Sequence, residues 1–325
     1  MGGGQCAGGG TGRDLDCIVC GTCVADILVR PVPLSEPVGG DRLLHVDPIG
    51  VTTGGLVCNA GTAMRRLGLR VAAASLLGAD LWADVVRSRV AAEGIDAQPL
   101  ERHPTLATST TAVLIDPTGE RSFAHHVGAP AALDLAFIRR QAAHFRRSSF
   151  ALVGYVGLLP ALEPVLLEAV LAIKADGCRV ILETGGSGGG LATIAAAMPH
   201  VDVYVPSLDE AAHQTGEAAP HAIIDCYRRH GAAGIVGVKL GTRGTLLSPA
   251  AGEMIEIPCL PAPGPVADTT GAGDSFLAGL VTGLVRGMPA RQAALLGAAT
   301  AACCVTGVGA TAGLRSFDET MRLID

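Results

Sequence analysis

One rhythm limits what this chain can fold into. Between residues 150 and 248, short apolar runs at 150–153, 179–182, 201–205, 235–239 and 245–248 predict strands. Stretches of helical period at 161–175, 191–198, 208–215 and 221–230 fall between them. A helix between two strands returns the second parallel to the first, and a parallel sheet needs both faces covered. Strand-like runs at 15–20 and 71–76, with helical patterns at 59–67 and 82–93, extend the alternation toward the N-terminus. Two segments break it. Pro31, Pro33 and Pro37 punctuate the first, about 30–55, whose second half alternates like a half-exposed strand or two. The second, about 105–128, reads as a hairpin: a strand through 111–115, a turn at Asp116-Pro117-Thr118-Gly119, and a return through 121–123. These two are expected to form a small sheet or lid beside the main one.

Composition supports an α/β core built from small residues. Hydrophobic residues make up 49% of the 325, aromatics only 3%, and there are 44 glycines. That length can bury a core in one large domain or two small ones. Residues 1–13 have no apolar run of a signal peptide and read as a loose glycine-rich leader before a domain spanning 14–325. The longest apolar stretches, 150–162 and 293–305, fall short of the ~20 residues of a membrane span. A net charge of −6, with no basic run beyond two adjacent arginines, argues against a charge-driven nucleic-acid partner. A cytoplasmic enzyme with neither a membrane nor a nucleic-acid partner is the expectation. Among ten cysteines, Cys17, Cys20 and Cys23 have a spacing that suggests a metal site. On a buried first strand, however, Cys20 faces away from the other two, so the three cannot converge.

Four glycine-rich segments are candidates for chemistry. In the strongest, residues 268–276 (DTTGAGDSF), Gly271 and Gly273 permit a turn whose N–H groups point outward at a helix start. Such a turn binds an anion, phosphate above all. Asp274 is then either a general base beside a reacting phosphate or an ordinary helix cap, and both readings stand on the residues alone. In Lys239-Leu240-Gly241-Thr242-Arg243-Gly244 the lysine precedes the glycines, so this is no Walker A loop; it is either a plain turn or backbone that a nucleotide approaches. Gly54-Gly55 followed by Asn59 would let a polyol reach bare backbone while the amide reads a hydroxyl. Finally, Gly185-x-Ser187-x-Gly189 satisfies the nucleophile-elbow pattern of serine hydrolases. Five glycines around a serine match that pattern by accident, and the last histidine, His230, follows only 43 residues later.

Taken together, these segments resemble the ribokinase-like (PfkB) family of carbohydrate kinases, collinearly from about residue 16 to 313. Residues 268–276 carry the C-terminal signature. Gly54-Gly55, Asn59, Leu67-Gly68, Leu77-Gly78-Ala79-Asp80 and Glu93-Gly94-Ile95-Asp96 carry the N-terminal one. Thr110-Thr111 with Gly119-Glu120-Arg121-Ser122-Phe123 matches the lid. The resemblance implies a three-layer α/β/α sandwich with a mostly parallel sheet, a β-lid often used for homodimerisation, and transfer of the ATP γ-phosphoryl group to a sugar hydroxyl. It implies Asp274 as base and the amides of Gly271, Ala272 and Gly273 as anion hole. It places the sugar on Asp26, Gly54, Gly55 and Asn59, and ATP along Ser207, Lys239, Gly241, Thr242 and Gly244. Glu210 would organise Mg2+ through water, and Asp268 and Thr270 fall where some members bind a monovalent cation such as K+ through backbone and side-chain oxygens.

The chain also departs from the family pattern. Ser207 stands where an Asn is usual, Glu183-Thr184-Gly185 where many members have Asp-x-Asn, Val24 where ribokinases proper carry a sugar-binding Asn, and Ala298 in place of a common adenine contact. A nucleoside kinase of the same family, or a sugar-binding protein with weak catalysis, are the alternatives. His125-His126, Arg139-Arg140 and Arg146-Arg147 read as surface groups.

Overall fold

The computed structural model describes residues 13–35, 39, 41–185 and 189–324. Its large sheet has nine strands. In spatial order they are β13 (Ile255–Ile257), β12 (Thr245–Ser248), β11 (Ile235–Lys239), β10 (Val203–Tyr204), β9 (Arg179–Leu182), β8 (Ser148–Gly154), β1 (Leu15–Gly21), β4 (Val71–Leu77) and β5 (Leu100–Arg102). Pairing is parallel from β11 to β5, and antiparallel where β12 and β13 add a hairpin at one edge. Two apolar clusters cover the faces. One packs Ile18, Cys20 and Val153 against Phe137, Val170 and Ile223; the other packs Cys17, Val19 and Leu152 against Leu56, Met64 and Leu277. This is the expected three-layer α/β/α sandwich, with the core divided by the sheet.

The helices Ala272–Val285 and Ala290–Cys304 pack so closely that small residues are obligatory between them. A Cβ on Gly279 would stand 2.6 Å from the Leu296 carbonyl oxygen, and one on Gly297 would stand 2.7 Å from that of Phe276. The glycine-rich, ring-poor composition is spent partly on this contact.

A second sheet of four strands has the order β3 (Gly50–Gly54), β2 (Val24–Val29), β6 (Ser109–Ile115), β7 (Arg121–His126), with β2 and β6 parallel and the outer pairs antiparallel. The hairpin lies where expected. The first lid strand does not: β2 precedes residue 30, and most of 30–49 is irregular. Its apolar run reads in sequence as a continuation of β1, but the chain leaves the large sheet at Gly21, and residues 24–29 enter the small one. Cys17 and Cys23 nevertheless face one side and Cys20 the other, and the nine cysteines among the described residues are unbridged. Among the described residues no helix is long and apolar enough to cross a membrane.

Sequence order reverses around β1, which lies between β8 and β4. Open α/β sheets bind ligands at such a switch point, beyond the carboxyl ends of the strands. Beyond the ends of β1, β8, β9 and β10 stand Thr22, Tyr155, Glu183 and Ser207, and Lys239 closes β11.

Candidate active site

The helix Ala272–Val285 begins on Gly271, whose φ of 76° and ψ of 4° lie in the left-handed region, and no side chain caps it. Asp274, in the first turn, is therefore not the cap. Its carboxylate turns inward and is 5% exposed. Of the three amides expected to form an anion hole, that of Ala272 donates to the Thr269 carbonyl at 3.2 Å. Among the described residues, the amides of Gly271 and Gly273 have no such partner.

Two side chains fix Asp274. Asn59 Nδ2 donates to Oδ2 at 2.9 Å, and the Tyr155 hydroxyl donates to Oδ1 and Oδ2 at 2.7 and 2.6 Å. A carboxylate only accepts, so Asn59 must turn its NH2 toward it. That leaves the buried Asn59 Oδ1 with no partner among the described residues. Burial raises the Asp274 pKa, although Tyr155, Asn59 and Lys239 pull against it. Burial and the neighbouring carboxylate push the Tyr155 phenol up, so it remains a donor. Gly185 makes room for that ring: a Cβ there would lie 2.2 Å from Tyr155 Cγ.

On one side of Asn59 and Tyr155 lies a cavity of about 200 Å³ beneath the lid, walled by Asp26, Thr111, Arg121 and His125 among others. Gly54 and Gly55 border it, as expected, but their bareness serves the protein first. A Cβ on Gly54 would sit 2.2 Å from Asp26 Oδ2, and Gly55, at φ 77°, would press one to 2.6 Å from the Thr22 carbonyl. Burial raises the Asp26 pKa, opposed by a hydrogen bond from Thr111. His125 also reaches Thr111, Nδ1 to Oγ1 at 3.0 Å; it is exposed, as expected of a surface group, but it borders this cavity.

A second cavity, of about 410 Å³, opens on the other side of Gly273. Its wall is mostly apolar, with Phe276, Ala298, Ala301 and Val305 facing Lys239, Gly241, Thr242 and Gly244. Lys239 stands at its inner end: Nζ is 3.3 Å from Glu183 Oε1, and a Cβ on Gly273 would come within 3.2 Å of it. Burial draws the ammonium pKa down, but Glu183, Glu210 and Asp274 outweigh it and hold the lysine charged. Burial pushes Glu183 up to about 8, against the pull of Lys239.

Ser207 does not line this cavity. It caps the helix Leu208–Thr215, and its hydroxyl and amide both donate to Glu210 Oε2, at 2.7 and 2.8 Å. Ser207 and Glu210 thus form a capping box, which satisfies the helix end locally. Asp268 and Thr270 are engaged as well, by the guanidinium of Arg121 from β7. Ser187 lies outside the described residues.

A profile of the pfkB family carbohydrate kinases matches residues 17–316, nearly the whole chain. The chain belongs to the PfkB family of carbohydrate kinases. The ribokinase of Haemophilus influenzae is 27% identical over 283 residues, covering 85% of this chain and 88% of its own. The 1-phosphofructokinase of Rhodobacter capsulatus is 30% identical over 270 residues, covering 80% and 81%. The Arabidopsis thaliana ribokinase structure complexed with ribose and ATP superposes with a TM-score of 0.81 at 21% identity, over 96% of this chain and 99% of that one, a likeness of fold.

This PfkB kinase is thus a sugar or nucleoside kinase; Tyr155 at its site is absent from the sequence expectations, and Arg121 and His125 figure there only as a lid residue and a surface group. Tyr155 follows a buried strand and looks like part of the core. Arg121 and His125 sit in a hairpin whose alternation marks it as a strand without saying what its faces meet. The one signal for Tyr155 was the glycine run at 185, which carries no trace of the ring it accommodates.

Proposed function

We propose that this chain transfers the γ-phosphoryl group of ATP to a hydroxyl of a neutral polyol, a sugar or the sugar of a nucleoside. The observation that carries this reading is Asn59. Its NH2 is committed to Asp274, its buried oxygen has no partner among the described residues, and the residue lines the lid cavity, where a small shift of the amide would offer that oxygen to a substrate hydroxyl beside the carboxylate. Asp274, deprotonated, takes the proton as that hydroxyl attacks. The free amides of Gly271 and Gly273, the helix start behind them and the charged Lys239 stabilise the transferring phosphoryl group. Phosphoryl transfer needs mainly such positioning and charge.

The larger cavity suits the nucleotide, since its apolar wall can face a flat base while its inner end meets the anion hole. Magnesium would arrive with the phosphates and keep most of its waters. Besides Asp274, Glu183 and Glu210 are carboxylates placed near Lys239, and Glu210 has one oxygen tied to its capping box, which favours an outer, water-mediated role.

Charge selects the substrate class. The described basic residues at the lid cavity are Arg121 and His125. Arg121 is spent on Asp268 and Thr270, and burial together with His126 holds His125 below its ordinary pKa. Asp26 adds a carboxylate. Among the described residues a sugar acid or sugar phosphate would find no free cation there, whereas hydroxyls find acceptors in Asp26 and Asn59. Release of ADP is the test, measured with neutral pentoses and hexoses, nucleosides, 2-keto-3-deoxygluconate and fructose 1-phosphate. Turnover is expected with neutral substrates. Preference for the acid or the phosphate would overturn the charge argument, and sugar binding without any ADP release would point to a sugar-binding protein.

A further inference from the structure

The loop that precedes the anion hole is neutralised from the lid. Arg121, the first residue of β7, sends one nitrogen (Nη2) to Asp268 Oδ2 and the other (Nη1) to Thr270 Oγ1 at 2.7 Å. The ion pair is largely buried, with side chains 16% and 4% exposed. The remaining acceptors of Asp268 are taken by backbone amides: Thr270 N–H reaches Oδ1 at 3.0 Å, and Gly309 N–H reaches Oδ2. Every oxygen of the Asp268 and Thr270 side chains that would ligate a monovalent metal ion therefore already faces an N–H group. A cation needs open oxygen lone pairs, and N–H dipoles aimed at the same oxygens repel it. These side-chain donors do not fit potassium.

We infer that Arg121 is the resident cation of this loop, making phosphoryl transfer in this protein independent of potassium and tying the order of the anion hole to the seating of the lid. Thr270 adjoins Gly271, so the guanidinium holds the residue next to the turn that receives the phosphate. When β7 lifts, a positive charge leaves the loop with it, and the buried Asp268 carboxylate is left uncompensated. The chain thus couples substrate enclosure to the readiness of the phosphate site through one side chain. Arg121 is a positioning residue here: it touches the loop, not the reacting atoms.

The test compares wild type with Arg121→Met, which keeps the aliphatic stem and removes the charge. Both are measured in potassium, sodium and tetramethylammonium chloride at matched ionic strength. Melting temperature is read without substrate, so this arm does not depend on the proposed substrate class. Wild type is expected to show the same melting temperature and turnover in all three salts. Arg121→Met should lose about 100-fold in turnover in tetramethylammonium, as a displaced site does. Potassium or millimolar guanidinium should return part of that loss and raise the melting temperature of the variant selectively. A wild type activated or stabilised by potassium overturns the inference, whether or not the variant folds. So does a folded Arg121→Met with unchanged turnover, or one that no cation rescues.

Discussion

The two cavities on either side of Asp274 are built on different plans. The larger, about 410 Å³, takes its wall from the late part of the chain, residues 239–305, and is nearly all apolar. The smaller, about half that volume, gathers polar side chains from β2, β3, β6, β7 and the turn after β8. One is a slot within the scaffold, closed by two helices that cannot separate without opening the core. The other is roofed by a separate sheet. On the proposed reading, the phosphoryl donor would occupy the fixed slot and the acceptor the roofed cavity, so that the acceptor could vary through the lid while the donor site stayed the same.

Breaking the buried carboxylate that stands between the two cavities, bound to Asn59 and Tyr155 of one and next to Gly273 of the other, should have the largest effect. Asp274→Asn is expected to lower turnover by at least about 100-fold, while ATP and sugar still bind by calorimetry. Near-normal turnover would remove Asp274 from the role of base. The next two substitutions separate the sides. Asp26→Asn should raise the KM of the sugar by about ten- to a hundredfold, the loss of a charged hydrogen bond, and leave the KM of ATP alone. Ala298→Leu should do the reverse, raising the KM of ATP by about tenfold through overpacking of the apolar slot. If either substitution moves both KM values equally, the division between the cavities fails.

The smallest expected effect concerns pH. Burial raises Asp274, so its base form is lost as pH falls through a value above the usual carboxylate range, and turnover should show an acid limb there. The Tyr155 hydrogen bonds favour the ionised carboxylate. In Tyr155→Phe the limb should therefore move to higher pH, by about half to one unit. A limb that stays in place, or moves to lower pH, would mean that Tyr155 does not tune the base.

The legibility of these sites in the sequence follows the same division. The strand–helix alternation marks the large sheet, and residues 268–276 mark the bare helix start, because a left-handed turn followed by a helix is a local matter that neighbouring residues dictate. Lys239 was legible as part of a loop, but not as the partner of Glu183, because that contact depends on the lateral order of β9 and β11. The short edge strands β5 and β13 lack enough residues to show a period. Asp26 was placed through resemblance rather than periodicity, since β2 is written in the same apolar letters as β1. The Arg121 contact with Asp268 joins residues 147 apart and becomes visible only once the small sheet is set over the large one.

That shared lettering of β1 and β2 has a mechanical side. A single run of chain passes from an inner strand of the large sheet to an inner strand of the small one, with only Thr22 and Cys23 between them. At the crossing, Gly21 is pressed so closely on the Gly154 carbonyl that a Cβ would lie 1.3 Å from its oxygen. The roof is thus not hung from its rim like a flap on a long tether. It is carried on a stiff, short stem rising from the interior of the floor, and any tilt of the roof bears as a torque on the strand that anchors the switch point.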